Sequence, residues 1–131
     1  MNAPFKADAG KLAMHLLPTD PILDVVKVLE FGAKKYSADA WRLGISWNRI
    51  MDAAERHIAS WKKGDDYDKE SGFNHLAHAA CNLFFLLEYS RTHAKLDDRF
   101  STCESSGVPG RQLHDVLDGP CMCGATHTGI R

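Results

Sequence analysis

The amino-acid sequence predicts an all-α protein with one domain of three helices, and three observations support this. The chain has 131 residues, a length typical of a single domain. Three segments carry apolar residues at the three- and four-residue spacing of a helix face. No segment shows the alternation of a half-buried strand, and no internal repeat is evident.

The first helix is predicted at about 21–35. Residues 1–18 contain prolines and a glycine without a clear period, which predicts an extended arm. Thr19 and Asp20 are suited to cap a helix, and Pro21 suits its first position. One apolar stripe follows, and it predicts packing through a single face: Ile22, Val25, Val26, Leu29 and Ala33.

Two further helices are predicted at about 47–62 and 72–92. Ser46 is the expected cap of the second helix, and Gly64 ends it before an acidic loop. His57 points the same way as the apolar stripe of this helix, which is Ile50, Ala54, Ile58 and Trp61. Ser71 is the expected cap of the third helix, which is apolar on nearly every face. A helix of that kind is buried on most sides. In so small a chain, we expect partner subunits to complete the core of the bundle.

The domain is expected to cover residues 1–94, with a polar tail at 95–131 that contains at most one short helix. Cys121 and Cys123 suggest a zinc site in the tail, together with Cys103, His114 and His127. One Cys-x-Cys pair without a second pair is a weak zinc signal, so a flexible tail with free thiols is the favoured interpretation.

Composition and charge exclude several classes of protein. Hydrophobic residues make up 44% and charged residues 25% of the chain, which excludes a disordered or collagen-like protein. A formal net charge of -1 argues against a general nucleic-acid coat. The longest apolar run is far shorter than a membrane span, and the N-terminus lacks an apolar signal core. The cysteine positions favour a reducing compartment, so we expect a cytoplasmic protein.

Three polar side chains share one face of the third predicted helix: His75, His78 and Asn82. Polar groups on an apolar helix are costly to bury unless they have partners. A lone histidine there would be explained as a hydrogen-bonded core residue. Three aligned polar groups beside an acidic loop favour a functional site.

Four acidic residues lie on the second helix and in the loop after it: Asp52, Glu55, Asp68 and Glu70. If the second and third helices pair antiparallel, these carboxylates and the histidines converge. Oxygen ligands suit Mg²⁺ or Mn²⁺, and imidazole shifts the preference toward Mn²⁺ or other transition ions. Taken singly, each acid is better explained as a solvated residue that favours a helix N-terminus.

A third group combines basic and aromatic side chains that can bind phosphate and stack a base: Lys6, Lys11, Lys34, Lys35, Tyr36, Trp41 and Arg56. Simpler explanations exist for single members. Lys34 can pair with Glu30 along the helix, and Trp41 can anchor the core.

Several segments together resemble the phage and bacterial dATP/dGTP diphosphohydrolase family. They are KADAGKL-AMHLLP near the N-terminus, EFGAKKY, AAERH and GDDYDKESGFNHLAHAACNLFFLLE. The resemblance covers roughly residues 5–90 and is to MazZ-like enzymes, which are MazG-like all-α nucleoside triphosphate pyrophosphatases. It implies a helical bundle that assembles as a homodimer or homotetramer.

The resemblance also implies a reaction and a substrate. Such enzymes cleave a (deoxy)nucleoside triphosphate to the monophosphate and pyrophosphate with Mg²⁺ or Mn²⁺. MazZ-like members act on (d)GTP and supply dGMP for 2-aminoadenine nucleotides in phages that replace adenine. The implied ligand is (deoxy)guanosine triphosphate or a related purine nucleotide, with no nucleic-acid or membrane partner.

The resemblance further suggests a ligand set. The wider superfamily carries Glu-x-x-Glu and Glu-x-x-Asp on successive helices, and the nearest equivalents here are Asp52-Ala-Ala-Glu55 and His75-Leu-Ala-His78. We therefore expect Asp52, Glu55 and Glu70 to hold the metal. His75 or His78 would add a ligand or orient water, so the expected catalytic residues are Glu55, His75 and His78. The expected substrate contacts are Lys11, Lys34, Lys35, Tyr36, Trp41, Arg56 and Asn82.

Two other functions stay open from the sequence. His57, His75 and His78 suggest an HD-type phosphohydrolase, but that class needs an adjacent His-Asp pair, and the only one is His114-Asp115 in the tail. The other alternative is a non-catalytic helical module that binds a metal or a nucleotide. Such a module would be stabilised by nucleotide without hydrolysing it.

Overall fold

The computed structural model describes residues 5–101, which form three α-helices. We label them α1 (Thr19–Lys35), α2 (Trp47–Lys62) and α3 (His75–Thr92). Short 3-10 turns lie at Met14–Leu16, Ala40–Leu43 and Ala94–Leu96. Among these residues the only β-type pairing is an isolated bridge between Tyr67 and Asn74, so the all-α prediction is confirmed.

None of the helices between residues 5 and 101 is long and apolar enough to cross a membrane. The sequence-based expectations for the tail, namely the zinc site, the short helix and the His114-Asp115 pair, lie outside the described residues.

α1 begins two residues before its predicted start, and the caps expected from the sequence are wrong. Pro18 occupies the N-cap position, and no side chain caps this end. Thr19 and Asp20 lie within the first turn instead. Pro21 is tolerated there because the first backbone N–H groups of a helix have no intrahelical acceptor.

α2 has the predicted bounds, but its cap comes from a distant residue. Ser46 occupies the N-cap position without a side-chain cap bond. Instead, the Asn48 backbone N–H donates to Asp98 Oδ1 at 2.9 Å, and Asn48 Nδ2 donates to the Asp98 carbonyl at 2.8 Å. A carboxylate at a helix N-terminus also interacts favourably with the helix dipole.

Residues 93–99 form what we call the strap, which crosses the N-terminal end of α2. Trp47 Nε1 donates to the His93 carbonyl at 3.0 Å, and the Arg99 guanidinium lies over the Trp47 ring. The strap packs so tightly on Gly44 that a Cβ there would lie 2.7 Å from Leu96 Cδ1. Gly44 also has φ +111°, so this contact requires glycine.

α3 begins at His75, three residues after its predicted start, and the cap is Asn74 rather than Ser71. Asn74 Oδ1 accepts from the Leu76 backbone N–H at 2.7 Å. Ser71 lies in residues 63–74, which we call the acidic loop. There the Asp68 N–H donates to the Phe73 carbonyl, and the Gly72 N–H donates to the Asp68 carbonyl. These bonds close the loop before the helix starts.

The core lies where α3 packs against α1 and α2. Val25 and Val28 of α1 meet Ala77 and Cys81 of α3. Tyr89 of α3 is fully buried, and its hydroxyl donates to the Trp41 carbonyl. Other large apolar side chains of α1 and α3 are between about one third and two thirds exposed in the single chain: Ile22, Leu23, Val26, Leu29, Leu76, Leu83, Phe84 and Leu87.

Candidate functional site

An open cleft of about 1150 Å³ lies between α1, the connector at 36–46, α2, α3 and the acidic loop. This volume is slightly above the usual range for small-molecule sites, which is about 300–1000 Å³. Both signs of charge occur on its walls. The basic side chains are Lys35, Arg42, Arg49 and Arg56, and the acidic ones include Asp52, Asp68 and Glu70.

The cleft brings together most of the residues predicted from the sequence. Those that line it are Lys35, Tyr36, Trp41, Asp52, Arg56, Glu70, His78 and Asn82. Four predicted residues are not part of its lining. Glu55 and Lys34 are exposed on their helices, Lys11 pairs with Asp8 at 3.3 Å on the arm, and His75 is buried.

An ion pair joins the end of α1 to the acidic loop across the cleft. Lys35 Nζ lies 2.6 Å from Glu70 Oε2, and both side chains are partly exposed. The hydrogen bond that Lys35 donates to Glu70, followed by the one to Tyr36, raises the pKa of Lys35 above its ordinary value. The ammonium is therefore charged at every physiological pH.

Three histidines meet where α2 faces the start of α3. His57 Nδ1 lies 2.9 Å from His75 Nδ1, and the His57 ring stacks on His78 with centroids 4.4 Å apart. His75 is only 6% exposed. Its Nε2 is buried without a hydrogen bond among the described residues and lies 3.7 Å from Asp65 Oδ2.

Ser71 connects Asp68 to His78. Its backbone N–H and its hydroxyl both donate to Asp68 Oδ2, at 2.9 and 3.0 Å. Its Oγ also lies 2.7 Å from His78 Nε2. A hydroxyl has one proton to donate, and the Ser71 hydroxyl donates its hydrogen bond to the Asp68 carboxylate. His78 must therefore donate from Nε2–H, which leaves Nδ1 as its proton-accepting atom.

The ionisation states suit cation binding. Burial lowers the pKa of His57 and of His78, although nearby carboxylates partly oppose this, so both rings are neutral at pH 7. Burial alone would raise the pKa of Asp68, but the hydrogen bonds from Ser71 and the neighbouring histidines hold it below its ordinary value. Neutral imidazole and ionised carboxylate are the forms that bind metal ions.

One group of side chains has the proximity that a metal ion requires. Donor atoms of His57, Asp68 and His75 all lie within 4.8 Å of one another. The sequence prediction included His75 in the ligand set but not His57 or Asp68. The periodicity of α2 placed His57 on the same side as Ile50 and Ala54, and from the sequence it was a candidate only for the HD-type alternative. His75, which lies beside His57, belongs to α3, and the spacing within α2 cannot show this contact.

Two aromatic side chains of the cleft, Trp41 and Tyr36, differ in how far their rings are free to contact a ligand. The Trp41 ring stacks on Phe85 at 4.4 Å, and the Arg42 guanidinium lies over the same ring. The Trp41 ring is therefore occupied by contacts within the chain, and it forms part of the cleft wall. Tyr36 is 72% exposed and lies beside Lys35, whose ammonium is 5.3 Å from the ring centroid.

Two comparisons with known proteins found sequences similar to this chain. Residues 1–99 match a family model described as dATP/dGTP diphosphohydrolase, N-terminal. The chain is also 35% identical over 105 residues to a dATP/dGTP diphosphohydrolase of Salmonella phage PMBT28. That match covers 80% of this chain and 35% of the relative, so the chain spans about a third of the relative's length. No solved structure matches the chain significantly.

Proposed function

This chain belongs to the dATP/dGTP diphosphohydrolase family, and we propose that it hydrolyses a purine (deoxy)nucleoside triphosphate, dGTP or GTP in the first place, to the monophosphate and pyrophosphate. The cleft is the observation that carries this proposal. It brings carboxylates together with lysine and arginine side chains, and an exposed tyrosine ring also lines it.

Divalent cations explain how an acidic cleft can accept a triphosphate. Asp52, Asp68 and Glu70 line the cleft, and their carboxylates would hold Mg²⁺ or Mn²⁺. The fit rests on the chemistry of this donor set, since oxygen ligands suit both ions. When bound, such ions neutralise phosphate charge and lower the pKa of a coordinated water. Glu55, which the sequence also suggested, lies outside this wall, so the proposal does not use it.

The basic residues of the cleft supply the other half of phosphate recognition. Lys35 carries a permanent charge beside the acidic loop, and Arg56 lines the cleft one turn along α2 from Asp52. Positive side chains fixed in this way stabilise the charge that develops on the phosphates as the bond breaks. Arg56 can do so with two parallel N–H donors, whereas Lys35 acts as a point charge.

His78 is the proposed proton acceptor. Its ring lines the cleft and is neutral because burial lowers its pKa. The bond from Nε2–H to Ser71 fixes the tautomer, so Nδ1 can take a proton from the attacking water. Asp68 shares Ser71 with His78 and thereby restrains the ring orientation.

Tyr36 and Asn82 are the proposed contacts for the nucleoside. An exposed aromatic ring can stack a purine base, and stacking of this kind contributes about 1–3 kcal/mol per base in other proteins. Asn82 lines the same cleft, and its Nδ2 donates to the His78 carbonyl at 3.0 Å, which orients the amide.

A second copy of the chain is the proposed partner. A small groove between α1 and α3 is lined only by apolar and aromatic residues, among them Ile22, Val26, Leu29 and Phe84. Leu83 and Leu87 of α3 are also partly exposed. Burial of these side chains in a homodimer or homotetramer would complete a core that one chain leaves open. Substitution of Leu87 by Glu should then reduce the mass measured by light scattering.

Supply of dGMP for the synthesis of 2-aminoadenine nucleotides in a phage is the proposed physiological use. The phage origin of the relative supports it.

The test is direct product analysis. The protein is incubated with dGTP, GTP or dATP and with Mg²⁺ or Mn²⁺, and the products are separated by chromatography. Release of the monophosphate and pyrophosphate supports the proposal. Release of dGDP and orthophosphate, or of deoxyguanosine and inorganic triphosphate, would show a different reaction. Thermal stabilisation by dGTP without turnover would favour the non-catalytic module.

A further inference from the structure

We propose that His57, Asp68 and His75 form a binding centre for one first-row transition-metal dication in the inner wall of the cleft. This centre shares Asp68 with the carboxylates proposed to hold Mg²⁺ or Mn²⁺, and it differs from that set by its two imidazoles. Any part it plays in hydrolysis rests on the proposed function, whereas the metal binding itself does not.

The spacing of the donor atoms supports a shared ion. His57 Nδ1 and His75 Nδ1 are 2.9 Å apart, and the Asp68 carboxylate lies within 4.8 Å of both rings' donors. Two nitrogen ligands at a right angle around an ion, with bonds of about 2.1 Å, are about 3 Å apart. The two imidazoles already have this separation, so the ion requires only small movements of the side chains.

The buried nitrogen of His75 is the second, independent observation. A polar atom without a hydrogen bond inside a protein is costly and needs an explanation. His75 Nε2 is such an atom, and Asp65 Oδ2 is the acidic oxygen near it, at 3.7 Å.

A cation explains this arrangement. When it binds Nδ1 of a neutral imidazole, the ring proton must be on Nε2. That N–H then points toward a carboxylate 3.7 Å away, and a small movement of Asp65 would form the hydrogen bond that metal-bound histidines commonly make. Asp65 is therefore assigned as a positioning residue for His75.

Asp68 is oriented by the loop that carries it. Ser71 donates two hydrogen bonds to Oδ2, and these hold the carboxylate in place. The remaining lone pairs are available to a cation.

The donor set indicates which class of ion would bind. Two imidazoles and one carboxylate favour Mn²⁺, Fe²⁺, Co²⁺ or Zn²⁺, whereas Mg²⁺ prefers sites made only of oxygen. The alternative is a hydrogen-bonded histidine pair that shares one proton and binds no ion.

Cobalt(II) is the probe that separates these interpretations. The untagged full chain carries Cys103→Ser, Cys121→Ser and Cys123→Ser, so that tail thiolates cannot bind the ion. We expect Co²⁺ to bind with a stoichiometry of one and to give visible d–d absorption, without nucleotide present. His57→Gln and Asp68→Asn should weaken the binding by at least about 100-fold, and Asp65→Asn by about 10- to 100-fold.

Controls keep the test independent of folding and of the enzymatic activity. His15→Gln, on the exposed arm, should leave Co²⁺ binding unchanged, and circular dichroism should show that the helices of each variant are intact. Absence of the d–d band in the parent chain, or unchanged affinity in folded His57→Gln and Asp68→Asn, would overturn the metal centre. Release of dGMP and pyrophosphate from dGTP with Mg²⁺ would then still support the proposed function. A bound Co²⁺ without any nucleotide hydrolysis would support the centre and refute the proposed function.

Discussion

Lys35 Nζ lies 2.6 Å from Glu70 Oε2, although the two residues are 35 positions apart in the chain. The pair connects the last turn of α1 to the acidic loop, and both residues line the cleft. The end of α1 and the acidic loop therefore meet at a charge pair that itself lines the cleft.

Replacement of Lys35 by Met should lower kcat/KM for dGTP by about 10- to 1000-fold, because a positive group that meets phosphate charge is lost. The fold should be affected little, since exposed ion pairs contribute little to stability. Steady-state kinetics and thermal melts measure both effects. Lys27→Met is the matched control, because Lys27 pairs with Asp24 on the same helix at 3.3 Å. Equal activity of the two variants would contradict a role for Lys35.

Replacement of single acidic residues should show whether Glu55 belongs to the metal ligands. The family resemblance includes Glu55 in the ligand set, whereas the lining of the cleft does not. We expect Asp52→Asn and Glu70→Gln each to reduce kcat by at least about 100-fold with Mg²⁺. Glu55→Gln should stay within about twofold of the parent, because Glu55 is exposed outside the cleft. A large loss in Glu55→Gln would restore the ligand set suggested by the family resemblance.

Replacement of Ser71 by Ala should destabilise the chain by about 1–3 kcal/mol, because Asp68 and His78 each lose a partner in a partly buried site. Urea denaturation measures this change. The conservative variant Ser71→Thr keeps the hydroxyl and should recover most of the stability and activity. Ser90→Ala, whose hydroxyl donates only to a carbonyl of its own helix, is the control. The hydrogen-bond assignment fails if Ser71→Ala is as stable as Ser90→Ala.

Replacement of Asp98 by Ala should cost about 0.5–2 kcal/mol, the usual effect of removing a helix N-cap. The loss is expected because Asp98 Oδ1 accepts from the first turn of α2. Asp24→Ala removes an exposed acid of α1 and provides the comparison. If the two variants unfold at the same urea concentration, Asp98 is not the cap of α2.

Alkylation of Cys81 should be slow in the folded chain. Burial raises the pKa of Cys81 from 9.0 to about 11, and only the thiolate reacts. At pH 8 the thiolate fraction is then about 100-fold smaller than in the unfolded chain, and it should rise with pH up to about 11. Iodoacetamide labelling followed by peptide mass spectrometry measures the rate. Labelling of Cys81 as fast as in urea would show that the thiol is not buried.

The fold was largely predictable because the helices carry local signals. The bounds of α2 follow from an apolar stripe and a glycine in the turn after it, and the structure confirms them. The caps were not predictable in the same way. Ser71 has the sequence context of a cap, but its hydroxyl is committed to Asp68 and His78. Asp98 caps a helix 50 positions earlier, a relation that no local pattern contains.

The sequence predicted many of the residues that line the candidate site, but not which of them contact one another. Helical spacing aligned His78 and Asn82, and both line the cleft. The same spacing assigned His57 to the apolar face of α2, which is geometrically right. That face meets His75 at 2.9 Å rather than a hydrophobic side chain, and only the packing of α2 on α3 determines this.

The residues of the strap do not line the cleft, but they support two elements that do, the start of α2 and the bend at Gly44. Cleavage of the chain after residue 94 would remove Asp98 and expose the first turn of the helix that carries Asp52 and Arg56. It would also free the Gly44 bend next to Trp41, whose ring is one wall of the cleft. A shortened protein of this kind would keep every proposed ligand and still lose substrate affinity, because fraying of one helix end would displace the side chains that must converge on the phosphates.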